Sequence, residues 1–182
     1  FGMGITAEKV AERWKVSREA QDEFAFHSHQ RALRAIASGE FSDEITPYLI
    51  EERTPDLQAR EVKIAAREAA QDEGPRADTS VEALAKLRPV FAQRGSVTAG
   101  NSSQAAVLLC SEAALKRYNL TPIGKFLGFS VAGVPPEIMG IGPKEAIPRA
   151  LKQVGLTLSD MGWIELNEAF AAQSLAVIRD VG

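Results

Sequence analysis

The chain has 182 residues, of which 45% are hydrophobic and 25% charged, with a formal net charge of -3. These are the proportions of a globular protein with room for one large domain or two small ones. A slightly acidic balance, without a block of about five or six like charges, gives no electrostatic case for binding nucleic acid.

Cys110 is the sole cysteine, so no internal disulfide can form, which suits a reducing compartment. No apolar run approaches the roughly 18 residues of a spanning helix. The opening "FGMGITAEKV" lacks the basic and apolar regions of a signal peptide. It does not begin with Met, and "LAVIRDVG" falls where an element is closing. Both ends are therefore expected to be internal points of a longer protein.

Thr6 precedes "AEKVAERW", which predicts a short helix capped by Thr6 with Glu8 in its first turn. Ser17 precedes "REAQDEFAFHSHQRALRAIASG", where Phe24, Ala25, Ala32, Leu33 and Ile36 fall near helical spacing and Gly39 supplies a stop. Pro47 and Pro55 forbid a long helix in the next stretch. "YLIEE" and "EVKIA" read there as two strands around a turn near Thr54–Arg60. "QDEGPRADTS" is a polar loop, and "VEALAKL" a short helix stopped before Pro89.

The second half alternates. "AAVLLC" predicts a buried strand and "SEAALKRYN" a helix behind a Ser cap. "IGKFLGFSVAG" predicts a strand, and "PKEAIPRALKQVG" a helix with Pro148 near its first turn or at a kink. "MGWIEL" predicts a strand and "EAFAAQSLAVIRDVG" a helix. Alternating strands and helices imply an α/β fold with a mainly parallel, helix-covered sheet. The boundary between a mixed, charged region and this sheet-bearing region is expected near Gly95–Gln104.

The chemistry-bearing residues admit ordinary readings first. At the strand-to-helix junction in "WIELNEAFAAQS", Asn167 can cap the helix and Glu168 can oppose its positive end. The same junction is where ligands gather at the carboxyl ends of parallel strands, and an amide there can steady an oxyanion. His27 and His29 are two apart on a predicted helix and point to different faces. No pattern completes a metal site around them, so they are expected to be packing or surface residues. Cys110 ends an apolar run and reads as a small buried hydrophobe, with nothing nearby to activate its thiol. Arg76 is a loop arginine, solvated by default and otherwise a phosphate clamp. "VTAGNSS" is a small-residue turn open to close backbone approach. "MGIGP" lacks the spacing of a dinucleotide-binding turn.

Together the pieces are more specific. "MGITAEKVAERW", "SREAQDEFAFHSHQRA", "DEGPRADTSVEALAKLRPVF", "GSVTAGNSSQ", "PPEIMGIGPKEAIPRAL" and "ELNEAFAAQS" occur in this order. The chain resembles the thiolase family over essentially its whole length, most of all the 3-ketoacyl-CoA thiolases (acetyl-CoA C-acyltransferases). The resemblance implies a layered αβαβα fold with an inserted, mixed α+β loop domain. Residues 1–104 would be mainly that loop domain, 105–118 would close the N-terminal half, and 119–182 would open the C-terminal half.

The implied activity is thiolysis of a 3-ketoacyl-CoA by coenzyme A, or the reverse condensation, through an acyl-cysteine. The resemblance assigns Asn167 to an oxyanion hole, where it holds a water, and Glu168 to support of the catalytic groups. Met139 and Phe170 would line the acyl pocket, Arg76 would contact the nucleotide end of CoA, and Ser103 the pantetheine arm. No metal or cofactor is implied, coenzyme A being a substrate. The implied partners are acyl-CoA and CoA, further copies in a homodimer or homotetramer, and a β-oxidation complex. No membrane span is expected. The implied compartment is cytoplasmic in a bacterium and mitochondrial or peroxisomal in a eukaryote.

The chain also departs from the family. The nucleophilic Cys lies upstream of the matched region in the family, and the G-H-P histidine and second Cys lie downstream. The 182 residues alone are therefore expected to be inactive. A few family residues, among them an Asp-Gly pair, have no counterpart between Gln104 and Ala105. Gly2 and Met3 replace the His-Met of short-chain biosynthetic members, which points to the degradative branch. A non-catalytic acyl-CoA-binding or assembly protein is the alternative, and a relative acting on sterol-type or carrier-linked acyl groups a third.

Overall fold

Helix α1 (Met3–Arg13) buries Thr6, Ala7, Val10 and Ala11, the spacing that puts one helical stripe against a core. It starts earlier than expected. Thr6 is therefore no cap: it lies inside the helix, and its hydroxyl donates to the Met3 carbonyl at 2.7 Å. Glu8 is likewise not spent on the helix end. Its carboxylate accepts from the backbone N–H of Ser96 at 2.8 Å and of Val97 at 2.9 Å.

The computed structural model describes residues 1–99 and 110–182, in two units: Phe1–Ala25 with Val81–Gly182, and Phe26–Ser80. In the first unit, α1 packs on α6 (Ala171–Val181) and on a 3-10 turn at Pro136–Ile141. Val10, Val16, Ile138, Ile141, Ala176 and Val177 form the shared core. Asp180 on α6 accepts from the Trp14 indole at 2.8 Å and from Lys144 at 2.7 Å, which ties in α5 (Gly142–Gln153). Pro143 occupies the first turn of α5, and Pro148 lies in its interior rather than near its start. Proline has no N–H, so the Lys144 carbonyl loses its helical partner there.

Helix α2 (Arg18–Ala37) begins behind Ser17, whose hydroxyl accepts from Ala20 N–H at 3.2 Å, and stops before Gly39 with φ 75°. Its first turns bury Gln21, Asp22 and Ala25. Arg18 bridges Asp22 at 2.7 Å and donates to the carbonyls of Leu84 and Leu87 at 2.6 and 3.0 Å, beside α3 (Val81–Ala85). Helix α4 (Glu112–Tyr118) follows the expected Ser cap, with Ser111 Oγ accepting from Ala114 N–H at 3.2 Å. Asn119 ends it in the left-handed conformation.

In the second unit, β1 (Tyr48–Asp56) and β2 (Glu61–Ala69) form the expected hairpin, antiparallel from Tyr48↔Ala69 to Asp56↔Glu61. Asp56 Oδ1 accepts from Gln58 and Ala59 N–H at 3.1 and 3.0 Å, and Arg60 has φ 54°, so the turn is set by local chemistry.

The expected strands at 123–133 and 161–166 carry no ladder among the described residues. Phe126, Phe129, Val131 and Trp163 are exposed there. A parallel strand needs a distant neighbour, whereas a hairpin brings its own. The "AAVLLC" strand lies outside the described residues except for Cys110, which is exposed rather than buried.

Candidate active-site pocket

The junction at the start of α6 is built differently from a capped helix. The residue directly ahead of α6 is Phe170, extended at φ -151° and ψ 142°, and no side chain caps the helix. Asn167 is separated from Ala171 by Glu168, Ala169 and Phe170, so it cannot reach the first-turn amides as a cap. Glu168 is half-buried and also stands outside that first turn, which holds no acidic residue. The expected cap and dipole roles are therefore corrected: the "NEAF" stretch is irregular chain ahead of the helix, turning at a bend on Ala169.

That turn leaves Asn167 at the rim of a cavity of about 240 Å³. One wall comes from Met3, Thr6 and Ala7 at the start of α1. A second comes from Met139, Gly140 and Pro143, where the 3-10 turn runs into α5. Leu166, Asn167, Ala169, Phe170 and Gln173 complete it. Phe170 is fixed edge-on against Phe91, with centroids 6.3 Å apart at 87°. The lining is mostly apolar, and the Thr6 hydroxyl is already engaged by Met3. The exposed Asn167 carboxamide has no hydrogen-bond partner among the described residues and is free to serve a ligand or a water.

Of the residues singled out from the sequence, Asn167, Met139 and Phe170 share this cavity. Arg76 belongs to the other unit. It is exposed and paired with Asp78 at 3.1 and 2.9 Å, while its backbone N–H donates to His29 Nδ1 at 3.2 Å. Asp78 raises the guanidinium pKa through that hydrogen bond, and Arg76 lowers the Asp78 pKa in turn. Ser103 lies outside the described residues. Among the described residues no three His, Cys, Asp or Glu side chains gather as a metal site, and no helix is long and apolar enough to cross a membrane.

Sequence reasoning missed Gln173 and Gly140. The signal for Gln173 was its phase. Gln173, Ala176 and Val177 share the i, i+3, i+4 stripe of α6, so the buried face of that helix opens on a polar residue.

The family models for the thiolase N-terminal domain and the thiolase C-terminal domain match residues 1–113 and 120–182. A 3-ketoacyl-CoA thiolase of Bacillus subtilis is 51% identical across 100% of this chain and 48% of its own length. The human peroxisomal 3-ketoacyl-CoA thiolase is 47% identical across 94% of this chain and 41% of its own. The chain thus spans about half the length of the curated relatives it matches. Among solved structures, the Bacillus anthracis acetyl-CoA acetyltransferase superposes with a TM-score of 0.85 at 44% identity, over 98% of this chain and 44% of that one. The human mitochondrial 3-ketoacyl-CoA thiolase gives 0.84 at 44% identity, over 100% and 44%. These likenesses establish the thiolase-type α/β fold even though the only ladder among the described residues is a hairpin. Motif order, backbone and both family models agree along nearly the whole sequence, and the chain belongs to the thiolase family.

Proposed function

We propose that the protein carrying this chain is an acetyl-CoA C-acyltransferase. It cleaves a 3-ketoacyl-CoA with coenzyme A to acetyl-CoA and a shortened acyl-CoA, or runs the reverse condensation. A cysteine thiolate adds to the ketone carbonyl, and the bond between C2 and C3 breaks. The acetyl-CoA carbanion takes a proton, and the acyl group stays on sulfur. The thiol of coenzyme A then attacks that thioester and releases the thiolate. On this reading the nucleophilic Cys and the acid–base Cys and His come from parts of the protein outside these 182 residues, whose one cysteine is Cys110.

The observation that carries the reading is the Asn167 carboxamide, without a partner among the described residues, at the mouth of an apolar cavity. Negative charge develops on a carbonyl oxygen in both addition steps, and a neutral N–H donor stabilises it without binding the ground state as strongly. Asn167 fills that role directly or through a water, with Glu168 supporting the catalytic groups. Met139 and Phe170 shape the acyl site. Arg76 reaches the nucleotide end of CoA and Ser103 the pantetheine arm. Coenzyme A is a substrate, no cofactor takes part, and the protein works as a homodimer or homotetramer, with a β-oxidation complex as a further partner. Residues 1–104 then serve mainly as the loop domain, 105–118 close one thiolase half and 119–182 open the other. The compartment is cytoplasmic in a bacterium and mitochondrial or peroxisomal in a eukaryote.

The test is CoA-dependent loss of acetoacetyl-CoA and of a longer 3-ketoacyl-CoA by the full-length protein, with trapping of the acyl-cysteine by mass spectrometry. Absence of both cleavage and adduct would sink the reading.

A further inference from the structure

The loop at 90–97 is held to α1 at two points. At the first, the Phe91 ring lies directly over Gly4, where a Cβ would overlap Cγ, Cδ1 and Cδ2 of the ring. At the second, both Glu8 oxygens are engaged. Oε1 accepts from Val97 N–H at 2.9 Å, and Oε2 from Ser96 N–H at 2.8 Å and the Ser96 hydroxyl at 3.2 Å. The buried Gln21 donates to the Ser96 hydroxyl oxygen at 2.9 Å and to the Val16 carbonyl at 3.2 Å. Gly95 has to be bare here, because a Cβ on it would overlap the Glu8 carboxylate. Between the two points Val90 N–H donates to the Val97 carbonyl at 3.1 Å and Gly95 N–H to the Ala92 carbonyl at 3.0 Å, so the loop is closed on itself.

Gly4 and Glu8 are four residues apart and stack on one face of α1. Met3 and Ala7, on the adjacent ridge, line the cavity. Phe91 is not part of that lining, but its ring meets Phe170 edge-on, and Phe170 is cavity wall. Phe91 is 41% exposed, so packing alone does not fix its ring and the anchored backbone beside it has to.

We propose that the loop at 90–97 is a brace for the acyl cavity, with Glu8 and Gly4 as positioning residues that act through Phe91 on Phe170. Charge-assisted bonds to two amides and the close glycine contacts set where Phe91 stands, and Phe91 limits how far Phe170 recedes. With the brace cut, Phe170 moves into the space that Phe91 leaves, and the cavity admits longer acyl chains. Glu8 and Gly4 take no part in bond making. The inference rests on the thiolysis reading for what fills the cavity and on these contacts for what sets its width.

The experiment uses the full-length protein as wild type, E8A, E8Q, F91A and the double variant E8A/F91A. Values of kcat/KM are measured for acetoacetyl-CoA and 3-oxodecanoyl-CoA on one preparation of each. Their ratio cancels the folded fraction, so lost stability alone does not move it. The long-to-short ratio should rise about fivefold in E8A and in F91A, the scale of one aromatic edge contact, and less in E8Q, which keeps one acceptor oxygen. The double variant should match F91A, because Glu8 acts through that ring. An unchanged ratio in E8A or F91A, or shifts that add in the double variant, overturns the brace and leaves thiolysis standing. Where E8A does not fold, E8Q takes its place alone and in the double variant, and an unchanged ratio overturns the brace. A wild type that cleaves neither substrate overturns thiolysis. Calorimetric dissociation constants for butyryl-CoA and decanoyl-CoA then read the cavity directly, and a long-to-short ratio shared by wild type and F91A overturns the brace.

Discussion

Glu8 and Ser96 are 88 residues apart in sequence, yet one carboxylate holds the backbone N–H of Ser96 at 2.8 Å and its hydroxyl at 3.2 Å, with Val97 N–H on the second oxygen. The loop after α3 is thereby pinned to α1, whose first turns form one cavity wall. Loss of charge-assisted bonds to two amides leaves those donors in a half-buried setting. Glu8→Ala should lower the unfolding free energy of the full-length protein by about 2 kcal/mol. Urea denaturation at neutral pH checks it, and Glu8→Gln should recover part of the loss.

Asn167 offers the cleanest kinetic test. Asn167→Ala removes a donor from the cavity mouth without touching a helix cap, since Phe170 occupies the cap position. The expected fall in kcat is roughly a hundredfold or more, with little change in folding. Equal turnover in wild type and variant would deny the side chain any part in the reaction.

Arg76 is proposed to contact the nucleotide end of coenzyme A. Arg76→Ala should weaken coenzyme A binding about tenfold, the scale of a hydrogen bond between charged groups, and spare acyl-length preference. Titration calorimetry at low and high salt measures it, and the loss should shrink as salt screens the exposed guanidinium. Asp78→Asn frees Arg76 from its present partner and should tighten binding at low salt.

Acid sensitivity has a named contributor. Lys144 and the Trp14 indole hold the Asp180 carboxyl below its ordinary pKa. A carboxylate depressed in the fold adds stability that is fully present above the unfolded value of about 3.9. That stability is lost as pH falls through the lower folded pKa. Asp180→Asn should therefore flatten the acid limb of a stability–pH profile, read by urea midpoints between about pH 5 and 2. Asp22 works in the opposite sense, because burial raises its pKa against the pull of Arg18.

What the residues reveal in advance depends on where their partners are. The β1–β2 hairpin and the Ser111-capped α4 were legible, because a turn, a cap and an adjacent strand are all local. The ladderless stretches at 123–133 and 161–166 were not, since apolar patterning says a strand can form without saying what it pairs with. At Asn167 the pattern was read one turn too early: periodicity marks a buried face better than the residue where a helix begins. Gln173 and Ser174 are both polar residues on the buried side of α6, so the sequence pattern alone did not mark Gln173 as part of the cavity wall.

The two-stranded ribbon also constrains how this chain can drift. Among the described residues its outer backbone edges face no third strand, and Tyr48, Leu49, Val62 and Ile64 are exposed on it. Paired charges guard those edges, Arg67 with Glu52 at 3.0 Å and Lys63 with Asp56 at 2.8 Å, while Pro55 removes one donor from β1. Such ornaments contribute little to folding energy, but they discourage edge-to-edge stacking between molecules. Neutralising them together should leave catalysis untouched and shorten the shelf life of concentrated solutions.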